Sequence, residues 1–521
     1  MGKSARGAHG AIARAQRRGG VSIPMTIMWP RAAGILAHPT SFPSPHGVGD
    51  IGPGLERFFD FLATAGQTLW QTLPLGPTGY GASPYATLSA FAGNPALISP
   101  ERLVEDDLLT ETDIAEPPAF PARRVDYAAA TAWKTRLLVS ACARFMEQRR
   151  HPLRAAYDEF REQNADWLDD FALFMALKEA HEQRPWVEWP RRYAQRERRA
   201  LAEARHALAD SIAQHRFAQF MFFRQWARTR DEASQRGVRI IGDLAVFVAH
   251  DSADVWSRPD YFFLDDEGQP TVVAGVPPDY FSKTGQRWGN PLYRWDILRD
   301  SGYRWWVDRV RQALKVYDII RLDHFRGFES YWETPASSPD AASGMWKPGP
   351  GADLFHAIRA ELGEVPLIAE DLGVITPEVR ALRRSLGFPG MRVLQFAFGG
   401  TARNHDLPHN YTPNSVVYTG THDNDTTRGW FAATADHERA YALAYLGCEP
   451  RNVVWAMIRA AYASVARMAI IPLQDVLELG SEARMNYPSR TAGNWEWRYA
   501  EGDLTFAHAQ RLRKLVELYG R

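Results

Sequence analysis

The sequence predicts an α/β fold, a (β/α)8 TIM barrel with large, mainly helical insertions between its early strands. Three observations lead to it. The 521-residue chain holds eight short apolar runs separated by stretches of helical spacing. Four of those runs lead into an acidic residue, Asp243, Asp323, Glu370 and Asp423, at the strand ends where a barrel carries its functional groups. A content of 45% hydrophobic and 23% charged residues is that of an ordinary soluble globular chain.

Residues 1–28 are basic and rich in Gly and Ala, with Arg14, Arg17 and Arg18 but no acid. They read as a disordered extension ahead of a catalytic domain at 29–521. The first strand is expected at 34–37, followed by a Pro/Gly-rich loop at 38–54. That loop contains GVGDIG, which matches the dinucleotide pattern at Gly47, Gly49 and Gly52. The preceding SFPSPH is no strand, so the match lacks its required setting. A helix follows at 55–65, with Leu55, Phe58, Phe59 and Leu62 on one face. The second strand, 68–73, runs into the loop 74–95.

Residues 99–236 change character and become rich in charge and Ala. Phe217, Phe220 and Met221, like Leu168 and Phe171, recur at helical spacing, so this stretch is expected to be a helical insertion subdomain. The third strand, 238–245, carries Asp243. The stretch 246–294 is crowded with aromatics and prolines and reads as a loop region over the active site. A helix at 303–317 feeds the fourth strand. Further strands are expected at 365–369, 391–398, 415–419 and 468–471.

Composition excludes several function classes. Formal net charge is zero, so nothing argues for nucleic acid or an anionic membrane as the main partner. No run of about 18 apolar residues suits a membrane span. Cys142 and Cys448 are the only cysteines, so no disulfide framework is expected and a reducing, cytoplasmic setting is. Tryptophan stands out with 18 copies, many in polar, Gly/Pro-rich loops. Flat apolar rings in such loops suit ligands with apolar faces, as sugars have.

The chemistry concentrates in 318–327, DIIRLDHFRG. Arg321 and Asp323 are two apart and project to one side of an extended chain. A guanidinium there keeps the carboxylate ionised, as a nucleophile must be. Cleaving a glycosidic bond needs a nucleophile and a proton donor, which two carboxyls of different pKa supply. Asp323 fits the first role. Glu370, ending an apolar run, fits the second, provided its pKa is raised. Asp423 would grip sugar hydroxyls and favour a distorted ring, with His422 and His324 as further donors. The pattern of paired histidines expected of a barrel metallohydrolase is missing, because His38 and His46 lie far apart on a Pro-rich loop. Neither metal nor organic cofactor is called for.

Six segments, GPTGYGASPYATLSAFAGNP, GDLAVFVAHDSADVW, GVPPDYFSKTGQRWGNPLY, IIRLDHFRG, IAEDLG and THDNDT, together resemble the amylomaltases, the 4-α-glucanotransferases of the α-amylase superfamily. The resemblance runs from about Gly34 to the C-terminus. It implies Asp323 as nucleophile, Glu370 as acid/base and Asp423 as transition-state stabiliser, with Arg321, His324, His422 and Asp243 lining the subsite of cleavage. It implies further that Ser83 and Tyr85 contact the donor glucan, that Asp279, Tyr280, Phe281, Gln286 and Trp288 arch over the cleft, and that Asn486 contacts sugar. Ala245 and Ser489 depart from the family pattern, which usually has Pro and Gly there. The implied partners are malto-oligosaccharides and α-1,4-glucans, as donor and as acceptor. An α-1,4-glucan hydrolase using the same acids and a non-catalytic glycan-binding barrel are the alternatives.

Overall fold

A computed structural model describes residues 29–278, 283–488, 490 and 492–521. The extension at 1–28 lies outside them. The strands in chain order are β1 (Ala32–Leu36), β2 (Leu69–Gln71), β3 (Arg239–Leu244), β4 (Val272–Val276), β5 (Gln286–Pro291), β6 (Ile319–Leu322), β7 (Ser330–Pro335), β8 (Met345–Pro348), β9 (Leu367–Ala369), β10 (Gly390–Val393), β11 (Ser415–Tyr418) and β12 (Met468–Pro472).

Eight of these close into a barrel in the order β1-β2-β3-β6-β9-β10-β11-β12, with β12 returning to β1. All pairings within it are parallel. Such strands are covered on both faces and therefore read as unbroken apolar runs rather than alternating ones. Every residue of β1, β6, β11 and β12 is buried. Burying one isoleucine such as Ile240 or Ile320 contributes about 1.5–3 kcal/mol. Closure also demands close approach: a Cβ on Gly242 in β3 would lie 2.1 Å from the Tyr317 ring.

The helix Pro53–Thr64 buries Leu55, Phe58, Phe59 and Leu62, the face that its spacing predicts. Between β2 and β3 the chain is helical, from Pro100–Glu105 to Ala209–Gln235. The last of these helices buries Phe217, Phe220 and Met221 and leans on the barrel wall. Its Trp226 indole donates to the Val316 carbonyl at 2.8 Å, with its ring 6.0 Å from that of Trp70. No described helix is long and apolar enough to cross a membrane.

Two stretches differ from the sequence reading. Residues 246–294 are not loop throughout, because β4 and β5 lie there and join β7 and β8 in an antiparallel sheet of order β5-β4-β7-β8. The sequence of β5, QRWGNP, hides its strand character behind Gly and Pro. It is extended because β4 pairs with it, and β4 is in turn fixed by the distant β7. The run 391–398 stops being a strand at Val393 and turns into a 3-10 helix at Leu394–Phe396. That turn brings the Gln395 amide to the Asp425 carbonyl at 2.8 Å.

Candidate active site

The parallel register sets Asp243 in β3 directly opposite Arg321 in β6. The buried guanidinium Nη1 reaches both Asp243 oxygens, at 2.8 and 2.6 Å, and the Oδ1 of Asp323 at 3.0 Å. So the pair expected from the local R-x-D spacing is present, but Arg321 makes its closer contacts to Asp243. The Tyr85 hydroxyl donates at 2.8 Å to Asp243 Oδ2, the oxygen that also takes the closest Arg321 contact, so Asp243 is buried under its partners while the Asp323 side chain stays partly exposed. Burial disfavours the charge on Arg321, yet Asp243, Asp323 and Glu370 together raise its pKa well above the ordinary value. A cation fixed in this way holds negative charge at the strand ends.

Glu370 follows β9 by one residue. Its Oε2 accepts from the backbone N–H of His324 at 2.7 Å and its Oε1 from that of Leu372 at 2.8 Å. The first of these bonds requires an unusual backbone, because His324 sits in the left-handed region with φ +47°. That turn aims the amide following Asp323 across to the next strand end. Burial and the negative charge of Asp323 push Glu370 up to about 7, against Arg321 and the two amides, which pull it down.

Asp423 lies on the loop after β11. Its Oδ2 is 3.3 Å from Nε2 of His422, and its Oδ1 accepts from the Asn486 amide at 2.6 Å. Withdrawal from bulk water raises Asp423, but His422, Asn486 and Arg321 outweigh it and hold the carboxyl well below the usual carboxylate range. The side chain remains 48% exposed, so the anion faces the cleft. Burial opposes a charge on His422 and Asp423 favours it, with the net shift upward. The Tyr85 ring stacks on that of His422 at 5.2 Å, which ties the loop after β2 to the loop after β11.

An aromatic wall stands beside the acids. Trp288 in β5 is 39% exposed and meets the His324 ring edge-on at 4.8 Å. Its indole N–H donates to the Gln286 side chain at 3.3 Å. Burial lowers His324 to about 4, so its ring is neutral near pH 7. Asp279, Tyr280 and Phe281 lie outside the described residues, as does Ser489. The Ser83 hydroxyl accepts from the Tyr85 amide at 3.3 Å, inside its own loop.

Acids gathered at the strand ends around one guanidinium, with Glu370 raised and Asp423 lowered, beside an exposed indole, match what glycosyl transfer needs, and the comparisons decide between families. A model described as 4-alpha-glucanotransferase matches residues 37–505. The chain belongs to the 4-alpha-glucanotransferase family. It is 54% identical to the 4-alpha-glucanotransferase of Thermus thermophilus, over 94% of this chain and 98% of that one. Identity to the enzyme of Synechocystis sp. is 50%, over 94% and 98%. The amylomaltase from Streptococcus agalactiae, solved in complex with acarbose, matches with a TM-score of 0.91 at 38% identity, over 94% of this chain and 99% of that one. The transferase is thus an enzyme, a glycosyltransferase of the 4-alpha-glucanotransferase kind.

Two residues of the transferase's site carry no sequence signal of their own. Arg484 donates from Nε to the Asn486 carbonyl at 2.7 Å and from Nη2 to the Asp423 carbonyl at 2.7 Å, which fixes the backbone on both sides of the Asp423–Asn486 bond. Trp495 adopts φ +66°, a rare conformation for so bulky a residue. Its ring lies 6.0 Å from Tyr85 and 5.9 Å from His422. Arg484 stands in no motif, and nothing local foretells the left-handed backbone of Trp495.

Proposed function

We propose that the transferase works by a retaining double displacement on Asp323, with Glu370 as acid/base and Asp423 as stabiliser. In the first half, Asp323 attacks C1 of an α-1,4-linked unit. The C1–O4 bond breaks, and its oxygen takes the proton of Glu370. In the second half, the 4-hydroxyl of an acceptor gives its proton to Glu370 and attacks C1, which releases Asp323 and restores the α configuration. Asp423, with Asn486 and His422 fixing it, grips ring hydroxyls more strongly as the ring distorts.

The observation that carries this reading is the His324 amide. It follows Asp323 in the chain and donates to Glu370 at 2.7 Å, so the nucleophile and the acid/base are held on adjoining strand ends by one bond. The state of Glu370 supports the division of labour, since a carboxyl near 7 can give up and take back a proton at neutral pH. Trp288 and the loop around it would stack on glucose rings and keep water from C1, so that a sugar hydroxyl resolves the intermediate. Arg321, His324, His422 and Asp243 would line the subsite of cleavage, with Ser83 and Tyr85 on the donor chain and Gln286 in the region over the cleft. Residues 29–521 are read as one catalytic domain, 99–236 as its insertion subdomain and 246–294 as the region over the cleft. Two free cysteines suit a cytoplasmic enzyme.

The test uses a Glu370→Gln variant with α-maltosyl fluoride. Fluoride departs without a proton, so glycosylation proceeds while the missing base stalls the second half. A maltosyl adduct on the peptide that contains Asp323, found by mass spectrometry, is the expected result, and an adduct elsewhere or none overturns the reading. Wild-type enzyme given maltotriose should produce a ladder of longer maltodextrins plus glucose. Glucose and maltose alone, with no ladder, would mark the hydrolase instead.

A further inference from the structure

The loop bearing His422 and Asp423 is closed at its base by one side chain that the chemistry does not use. Asp475 lies on the short helix Leu473–Val476, directly after β12. Its Oδ2 accepts from the Thr419 hydroxyl at 2.6 Å and from the Thr427 hydroxyl at 2.6 Å. Its Oδ1 accepts from the Thr427 amide at 2.7 Å. Thr419 follows β11 and Thr427 opens the helix Thr427–Ala433, so these bonds join the two stems of the loop 420–426.

The carboxylate is 1% exposed, and among the described residues no cation forms an ion pair with it. Burial raises its pKa, three hydrogen bonds oppose that, and the charge of Asp425 adds to the rise. Burying a carboxylate without a counter-charge costs several kcal/mol. Three short donors offset part of that. An asparagine offers only one accepting oxygen to the same three donors, which accounts for the acid at this position.

We propose that Asp475 is a positioning residue for Asp423: by sharing one oxygen between Thr419 and Thr427 it sets the width of the loop base and so the height of Asp423 above the barrel. Other contacts leave the loop little freedom to adjust. A Cβ on Gly420 would lie 2.7 Å from the Gln395 amide, and Gln395 in turn holds the Asp425 carbonyl. A shift at the base is therefore passed to the tip. The proposal rests on the reading of Asp423 as a substrate-gripping carboxylate.

The test is a double-mutant cycle on purified, folded enzyme with maltotriose. Asp475→Asn keeps the volume but turns an NH2 group toward donors, and is expected to lower kcat by about 10²-fold, the effect of misplacing a catalytic group by about 1 Å, with KM changed by about 2-fold or less. Thr427→Val, which keeps the amide bond, should lower kcat in the same way, and Thr427→Ser should restore it. In an Asp423→Asn background, Asp475→Asn should cost about 2-fold or less, the margin within which independent effects add. An equal loss in both backgrounds overturns the proposal, because Asp475 then acts on the fold rather than through Asp423. Wild-type kcat for folded Asp475→Asn and Thr427→Val also overturns it, and leaves the role of Asp423 standing. Wild-type kcat for Asp423→Asn alone removes that role, and this proposal with it. If Asp475→Asn does not fold, the Thr427 pair decides.

Discussion

Glu370 and Asp423 stand at the same rim, Glu370 half-buried and Asp423 open to the cleft, and they end in opposite states. Glu370, one residue past β9, has Arg321 and Asp323 as charged neighbours of opposite sign and backbone amides as its donors, and burial pushes it up to about 7. Asp423, on the loop after β11, has His422 and the Asn486 amide against it and is held well below the usual carboxylate range. Burial acts in the same direction on both, so it does not separate them. What separates them is the balance of partners: on Asp423 the His422 ring and the Asn486 amide bond the carboxylate directly and outweigh desolvation, whereas on Glu370 the pull of Arg321 and two backbone amides, opposed by Asp323, does not. Arg321 pulls both down, which limits the rise of Glu370 as the proposed acid/base role requires.

The contrast breaks most sharply when Glu370 is made unable to titrate. Glu370→Gln should lower kcat on maltotriose by about 10²–10⁴-fold, the usual worth of a general acid/base. The pH profile should change with it. In the wild type, kcat/KM should fall as pH rises through about 7, where Glu370 loses its proton, and the residual activity of the variant should lack that limb. Stability carries the same signature. The folded pKa lies above the ordinary 4.5, so between the two values the folded state binds the extra proton and stability declines as pH rises. Melting temperatures should therefore favour Glu370→Gln most above pH 7, with the advantage fading as pH falls to 4.5. A variant whose relative stability does not change with pH would show that the carboxyl is not strained in this direction.

Asp423 offers the milder break. Asn486→Ala removes one donor at 2.6 Å, leaving His422 in place. A hydrogen bond to a charged group is worth about 1.5–3 kcal/mol, so kcat should fall by roughly 10–10²-fold. In an Asp423→Asn background the same substitution should cost about 2-fold or less, and an equal loss there would mean that Asn486 acts on the sugar directly and not through the carboxylate.

How much of this was legible depends on the distance over which each feature is encoded. The barrel strands read well because each is a local apolar run, and Asp323, Glu370 and Asp423 were legible as acids at their ends. The R-x-D pair was equally local. The closer partner of Arg321, however, is Asp243, which lies 78 positions away and is brought opposite it only by the β3–β6 register. The left-handed turn at His324 that joins Glu370 to the Asp323 segment has no pattern of its own, and the antiparallel sheet is masked by Gly and Pro in β5. The motif resemblance pointed to Tyr85 and Asn486, but not to the partners that the fold gives them. Tyr85 bonds Asp243 and stacks on His422, and Asn486 holds Asp423.

The smallest expected effect tests whether the aromatic wall belongs to the electrostatic centre or stands apart from it. Trp288 meets the His324 ring edge-on and hydrogen-bonds within its own strand, so its removal breaks no carboxylate contact among the described residues. Trp288→Ala should lower the rate of transfer by about tenfold or less, in line with the worth of one aromatic contact, and should leave the pH limb near 7 in place. The share of turnovers that end in water should rise, because the intermediate is no longer shielded while the acid/base that activates either acceptor is unchanged. The measurement is the ratio of reducing ends formed to glucosyl units transferred from maltotriose. If that ratio stays constant while both rates fall together, Trp288 serves binding alone, and the exclusion of water must be sought in other residues over the cleft.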